Sequence, residues 1–306
     1  MARTPRSFTI GEGRREATPL LIGLFGPSGS GKTYSALELA TGIQSVVGGE
    51  IVGIDTEARR MLHYADEFKF KHIDFKPPFG SLDYLDVLNQ AVNEFKAKTI
   101  IVDSMSHEHE GPGGLITTHE AEVERMAGGQ EWKRDRVKML AWNLPKANRR
   151  ALINGILRLN ANFIFCFRAK SSAKPVKSSF TNQQGETKDK TEVVAMGYMP
   201  IAGEEFVFEM TLAALLQPGA RGVATWNPEL PGERTMVKLP KQFESLANRT
   251  EPLSQALGAK LARWSTGGAS ETVSEERRAP PPEQSEKREL PQREQPPAEG
   301  GGYEGI

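Results

Sequence analysis

An unbroken apolar run from Leu20 to Phe25 leads straight into Gly26-Pro27-Ser28-Gly29-Ser30-Gly31-Lys32-Thr33, and this junction constrains the fold more than any other stretch. Apolar residues follow at 36, 37, 39, 40 and 43, the spacing of a helix. The reading is a buried strand, a glycine-rich turn and a helix opening at the turn, which is the context a G-x-x-x-x-G-K-T match requires. Gly26, Gly29 and Gly31 let the backbone curl so that several N–H groups converge on one anion, with Ser28 and Ser30 between them. The helix start adds unsatisfied donors and the positive end of its dipole. Lys32 is placed for the outer phosphates of a nucleotide and the Thr33 hydroxyl for Mg²⁺. Gly26, Ser28, Gly29, Ser30, Gly31, Lys32 and Thr33 are therefore the expected binding set for ATP with Mg²⁺.

The flanking pattern predicts an α/β fold with a mainly parallel sheet. Glu50–Asp55 reads as a second strand that delivers Asp55-Thr56-Glu57-Ala58-Arg59 at its C-terminal edge, where ligands sit in open parallel sheets. Residues 73–75 suggest a short third strand, and apolar positions at 82, 85, 88, 92 and 95 predict a helix over 82–95. Thr99-Ile-Ile-Val-Asp103 is a buried strand closed by aspartate, the Walker-B arrangement, which makes Asp103 the second expected Mg²⁺ ligand. His107 and His109 lie in the segment leaving that edge; with no further ligand cluster to complete a site, they read as part of a loop near the phosphates. Residues 130–144 and 146–160 read as two helices, cationic between Lys133 and Arg150. Asn162–Phe167 is another buried strand, ending in Arg168.

Residues 171–190 hold almost no apolar side chains and read as a mobile loop opening from the active edge. Between Arg168 and Lys190 there are six basic and two acidic residues. Two readings stay open: a solvated surface loop, or a single-stranded DNA loop using Lys170, Lys174 and Lys177 with Phe180 as a stacking platform. Beyond it, residues 205–216, 223–226 and 235–238 suggest further strands, and 252–264 a final helix.

Composition divides the chain of 306 residues unevenly. Residues 18–250 carry the motifs, with a helix at 251–265; residues 1–17 form a polar, basic arm expected to be flexible. Residues 266–306 have six prolines, six glycines and nine acidic residues, too few aliphatics for a core, and are expected to be disordered. The single cysteine, Cys166, excludes a disulfide framework. With no apolar signal core and no bilayer-length apolar stretch, a cytoplasmic protein without a membrane partner is expected.

The glycine loop, Ile54-Asp-Thr-Glu-Ala, Ile101-Val-Asp-Ser and the strand ending in a polar residue ahead of a long loop together resemble the RecA-type ATPase core. The resemblance implies that Glu57 activates water, that Arg168 stands where the family usually has a γ-phosphate-sensing Gln, and that Lys238 reaches a neighbour's site. Trp142-x-x-Pro145-Lys146 with Phe165-Cys-Phe-Arg168-Ala-Lys170 is similar to phage-encoded nucleotide-binding proteins of the AAA/RecA-core group, some of which anneal single strands. This second resemblance implies an ATPase acting on single-stranded DNA in phage recombination, with self-association and a phage or host single-strand-binding protein contacted through the tail. A non-hydrolysing ATP switch that loads replication proteins, and a P-loop small-molecule kinase, are the alternatives.

Overall fold

The computed structural model describes residues 7–13, 16–181 and 187–267. The tail reading falls on residues outside these from 268 onward, and the arm reading does so at 1–6 and 14–15. In chain order the elements are β1 (Leu21–Gly26), α1 (Lys32–Val47), β2 (Glu50–Asp55), β3 (Lys71–Asp74), α2 (Ser81–Asn93), β4 (Ala97–Asp103), α3 (His107–Glu110), α4 (Leu115–Ala127), α5 (Glu131–Ala141), α6 (Asn143–Ile156), β5 (Asn162–Thr181), β6 (Thr187–Pro200), α7 (Glu204–Glu209), β7 (Leu212–Leu215), α8 (Pro231–Arg234) and α9 (Gln255–Ser265). The fold is α/β, with a sheet of order β3-β2-β4-β5-β1-β7, all parallel, and β6 antiparallel to β5.

Alternate residues of the central strands feed two cores, which is why these strands are apolar throughout. Phe25, Val102, Phe163, Phe165 and Phe167 face α2 and α6, whereas Ile22, Leu24, Ile101 and Ile164 face α1 and α9. Helices α1 and α9 approach almost to backbone contact: a Cβ on Gly42 would lie 2.9 Å from Ala259 N, and one on Gly258 3.1 Å from Leu39 Cα. The last helix therefore forms part of the layer that holds α1, and through it the glycine loop.

Three expectations are corrected. Residues 171–181 and 187–190 do not form an irregular loop. Strand β5 continues through the sheet edge and pairs with β6 from Ala169↔Pro200 to Thr181↔Thr187. A two-stranded ribbon satisfies its backbone groups across the ladder and needs no apolar face, so low hydrophobicity did not reveal it. Residues 204–209 are helical, not extended: Glu204 and Glu205 in the first turn favour a helix start, and Phe206 and Val207 are both buried while Phe208 is exposed. Residues 223–226 and 235–238 supply only isolated bridges, Leu215↔Thr225, Val223↔Pro252 and Ala213↔Lys238.

Candidate functional site

β1 ends at Gly26 against the backbone of β7, where a Cβ would lie 2.5 Å from Ser30 Oγ and closer still to the Leu216 carbonyl. Gly29 and Gly31 take positive φ values of 76° and 87°, which turns the chain back into α1 and leaves the first N–H groups of the helix without intrahelical partners. The Lys32 ammonium donates to the carbonyls of Gly26 (2.9 Å) and Pro27 (2.8 Å), folded back on its own loop, and burial lowers its pKa. The buried Ser30 hydroxyl has no hydrogen-bond partner, and nothing stands within 4 Å of a Cβ built on Gly29. An open concave nest of donors, an orphaned hydroxyl and a cation resting on carbonyls fit a polyphosphate.

β4 is separated from β1 by β5, so that Asp103 reaches across to α1. The Thr33 hydroxyl donates to Asp103 Oδ2 at 2.5 Å. Burial pushes the Asp103 carboxyl up to about 6, against the Thr33 hydrogen bond and the Lys32 charge, which both favour its ionised form. A hard divalent cation between the Thr33 hydroxyl and this carboxylate matches the donor chemistry for Mg²⁺, and no group of three or more His, Cys, Asp or Glu residues suited to a metal occurs among the described residues.

Glu57 lies two residues beyond the end of β2. Its N–H donates to Asp55 Oδ1 (2.7 Å), and Asp55 also receives Met61 N–H (2.9 Å) and contacts His72 Nε2 (3.2 Å), which fixes the turn. The Glu57 carboxylate is gripped by the Arg168 guanidinium, Nε to Oε1 at 2.8 Å and Nη2 to Oε2 at 2.6 Å. Burial alone would raise the Glu57 pKa, but the hydrogen bonds and charge of Arg168 outweigh it and hold the carboxyl below its ordinary value. Arg168 N–H donates to Ser106 Oγ (2.8 Å) and its carbonyl accepts from Ile201 N (2.8 Å), so this residue ties the sheet to the base of the ribbon.

These groups meet in one cavity of about 570 Å³, lined by Ser28, Gly29, Gly31, Lys32, Thr33, Glu57, Asp103 and Arg168. The sequence does not single out Arg60, His63 and Tyr64, which line its other wall from the 3-10 turn after β2. Glu110 joins them from α3. His107 contacts Thr56 Oγ1 (2.7 Å) and stacks on Phe79, while His109 contacts Arg149, so the two histidines serve separate networks.

The remaining candidates lie elsewhere. Lys170, Lys174 and Lys177 are exposed on β5 beyond the cavity, and strand alternation puts Lys177 on the face opposite Lys170 and Lys174. The Phe180 side chain lies outside the described residues. Lys238 is not brought to the cavity; it donates to the Phe208 carbonyl at 2.7 Å. Three of the seven cations between 133 and 150 are paired: Arg134 with Glu124, Lys138 with Asp135, and Arg149, buried, with Glu108.

The strand order and the loop together are those of an α/β core built around a G-x-x-x-x-G-K-T turn. No protein-family model matches the chain, and no curated protein matches it. Among solved structures, a KaiC-like protein from the hyperthermophilic archaeon Pyrococcus horikoshii OT3 is similar over 61% of this chain and 91% of that one, at 17% identity and a TM-score of 0.25. The class therefore rests on this chain's own strand order and loop. Among the described residues no helix is long and apolar enough to cross a membrane.

Proposed function

We propose that the protein binds ATP with Mg²⁺ on the Gly26–Thr33 loop, hydrolyses it, and acts on single-stranded DNA in recombination or strand annealing. The observation that carries the nucleotide half is the convergence of Lys32, the Thr33–Asp103 pair, Glu57 and Arg168 in one cavity. Thr33 and Asp103 would hold the metal, Lys32 and the loop amides the phosphates, and Glu57 would accept a proton from water. The ribbon supports the DNA half, because it grows directly from Arg168 and presents exposed lysines on both faces. A non-hydrolysing switch is the second reading, favoured by the Arg168 grip on Glu57.

ATP turnover measured with and without single-stranded DNA separates them. Turnover that rises with DNA supports the first reading; tight ATP binding with no turnover in either condition supports the switch. Replacing Lys174 and Lys177 by Ala should weaken DNA binding and flatten its salt dependence, since each phosphate contact adds to counterion release. If gel-shift titration at low salt with ATP finds no single-stranded DNA binding by the unmodified protein, the DNA half fails.

A further inference from the structure

Helix α3 is a single turn, and three of its four side chains are engaged by the surrounding protein. His107 contacts Thr56 Oγ1 and stacks on Phe79. Glu108 is buried between the Ser81 hydroxyl (2.6 Å) and the Arg149 guanidinium (2.7 Å), and His109 Nδ1 lies 2.9 Å from Arg149 Nη2. The fourth side chain, that of Glu110, is exposed and has no hydrogen-bond or ion-pair partner among the described residues; it lines the cavity with Glu57 and Arg168. The backbone beneath it is equally fixed. Glu110 N–H donates to the Ser106 carbonyl (3.1 Å) and Gly111 N–H to that of His107 (2.8 Å), to which a Cβ on Gly111 would stand 2.6 Å away. A carboxylate without a structural partner is thus carried into the cavity on a rigid mount.

Water that attacks phosphorus must turn a lone pair towards it and both hydrogens away. One carboxylate fixes one hydrogen, and a second acceptor is needed to stop rotation about that bond. Resting on the hydrolytic reading above, we propose that Glu110 is that second acceptor, a catalytic residue that orients the attacking water while Glu57 takes its proton. In this step the water oxygen bonds to the terminal phosphorus. The bond from phosphorus to the bridging oxygen breaks, its electron pair leaves on the diphosphate, and one water proton passes to a Glu57 carboxylate oxygen. Glu110 keeps its hydrogen bond to the other. Two features favour this division of roles. Arg168 holds the Glu57 carboxyl below its ordinary pKa, which leaves it a weak base whose success depends on how well the water is placed. The Arg168 charge also interacts with both carboxylates, so it offsets part of the repulsion they exert on a polyphosphate.

ATP turnover and calorimetric affinity for a non-hydrolysable triphosphate analogue, each with Mg²⁺ and with or without single-stranded DNA, test this on the full chain. Glu110→Ala should lower kcat roughly tenfold to a hundredfold, the loss that follows when a reactant is misplaced, and leave the analogue's affinity unchanged. Glu110→Gln keeps an acceptor oxygen and should recover most of that loss, whereas Glu57→Gln removes the base and should cost roughly 10²–10⁴. Combining Glu57→Gln with Glu110→Ala should be little slower than Glu57→Gln alone, since both groups act on one water. Unchanged turnover in Glu110→Ala, a parallel fall in its affinity for the analogue, or losses that multiply in the double variant would each overturn the proposal. So would a loss in Glu110→Gln as deep as that in Glu57→Gln, which would make Glu110 the base. If the unmodified protein binds the analogue but turns over no ATP, the hydrolytic reading fails and the orienting role falls with it. If it turns over ATP and Glu110→Ala does so equally well, the hydrolytic reading stands and only the role of Glu110 is lost.

Discussion

Replacing Asp103 by Asn should make the protein more stable when metal and nucleotide are absent. The Asp103 carboxyl is buried, and its pKa rises from 3.8 to about 6. A carboxyl whose pKa is higher in the folded state opposes folding once ionised. The penalty is absent below pH 3.8, grows between that value and about 6, and is fully present above it. The gap corresponds to about 3 kcal/mol. Asn still accepts from the Thr33 hydroxyl, but its amide group brings a donor whose unmet hydrogen bond costs roughly 1–2 kcal/mol. The net gain near neutral pH is therefore about 1–2 kcal/mol, a rise of roughly 2–6 °C in melting temperature for a body of this size. Thermal unfolding in a chelator, at neutral pH and again near pH 4, measures both ends of the window. At the acid end the advantage should vanish or reverse. The same variant should lose Mg²⁺-dependent nucleotide binding, since the carboxylate is a metal ligand in this scheme. A variant less stable than the parent at neutral pH would show that the carboxylate supports the empty fold, and the reasoning would be wrong.

Lys32→Ala should leave the circular dichroism spectrum intact and weaken nucleotide binding about a hundredfold, the loss of one charged hydrogen-bonding group, measured by calorimetry. Arg149→Ala should destabilise by about 3–5 kcal/mol in urea unfolding, because it strands the buried Glu108 carboxylate, whose remaining partner is the Ser81 hydroxyl. Removing the pair together as Arg149→Met with Glu108→Leu should cost much less.

The strand, turn and helix at the start of the core were legible because independent signals coincide there: a buried run, a glycine turn and helical spacing over residues 20–43. Asp103 was legible as the last residue of an apolar strand. Helix α4 was not read from the sequence; its signal lay in Leu115, Val123 and Ala127, apolar residues buried along that helix. Tyr64 and His63 went unnoticed because the turn that carries them belongs to no motif, and only the burial of Met61 and Phe68 folds it over the cavity. Arg149 looked like one more surface cation in a basic helix. Its burial depends on Glu108, 41 positions away, which no local pattern announces.

The Glu57–Arg168 contact shows where sequence reading stops and what would extend it. The two residues are 111 positions apart, and each alone reads as a polar residue just past a strand. The sheet register makes their meeting intelligible. Asp55 aligns with Asp103, and Asp103 with Cys166, so Glu57 and Arg168 each stand two residues beyond the same edge. They are separated by one strand, β4, which places their backbones about 10 Å apart. Beyond Asp103 the short stretch Ser104–Ser106 bridges Thr56 on one side and Cys166 and Arg168 on the other before the chain turns away into α3. Two long side chains are needed to span that gap, and a glutamate facing an arginine does so with opposite charge. Strand order and register together turn two separate sequence positions into neighbours across a single strand end.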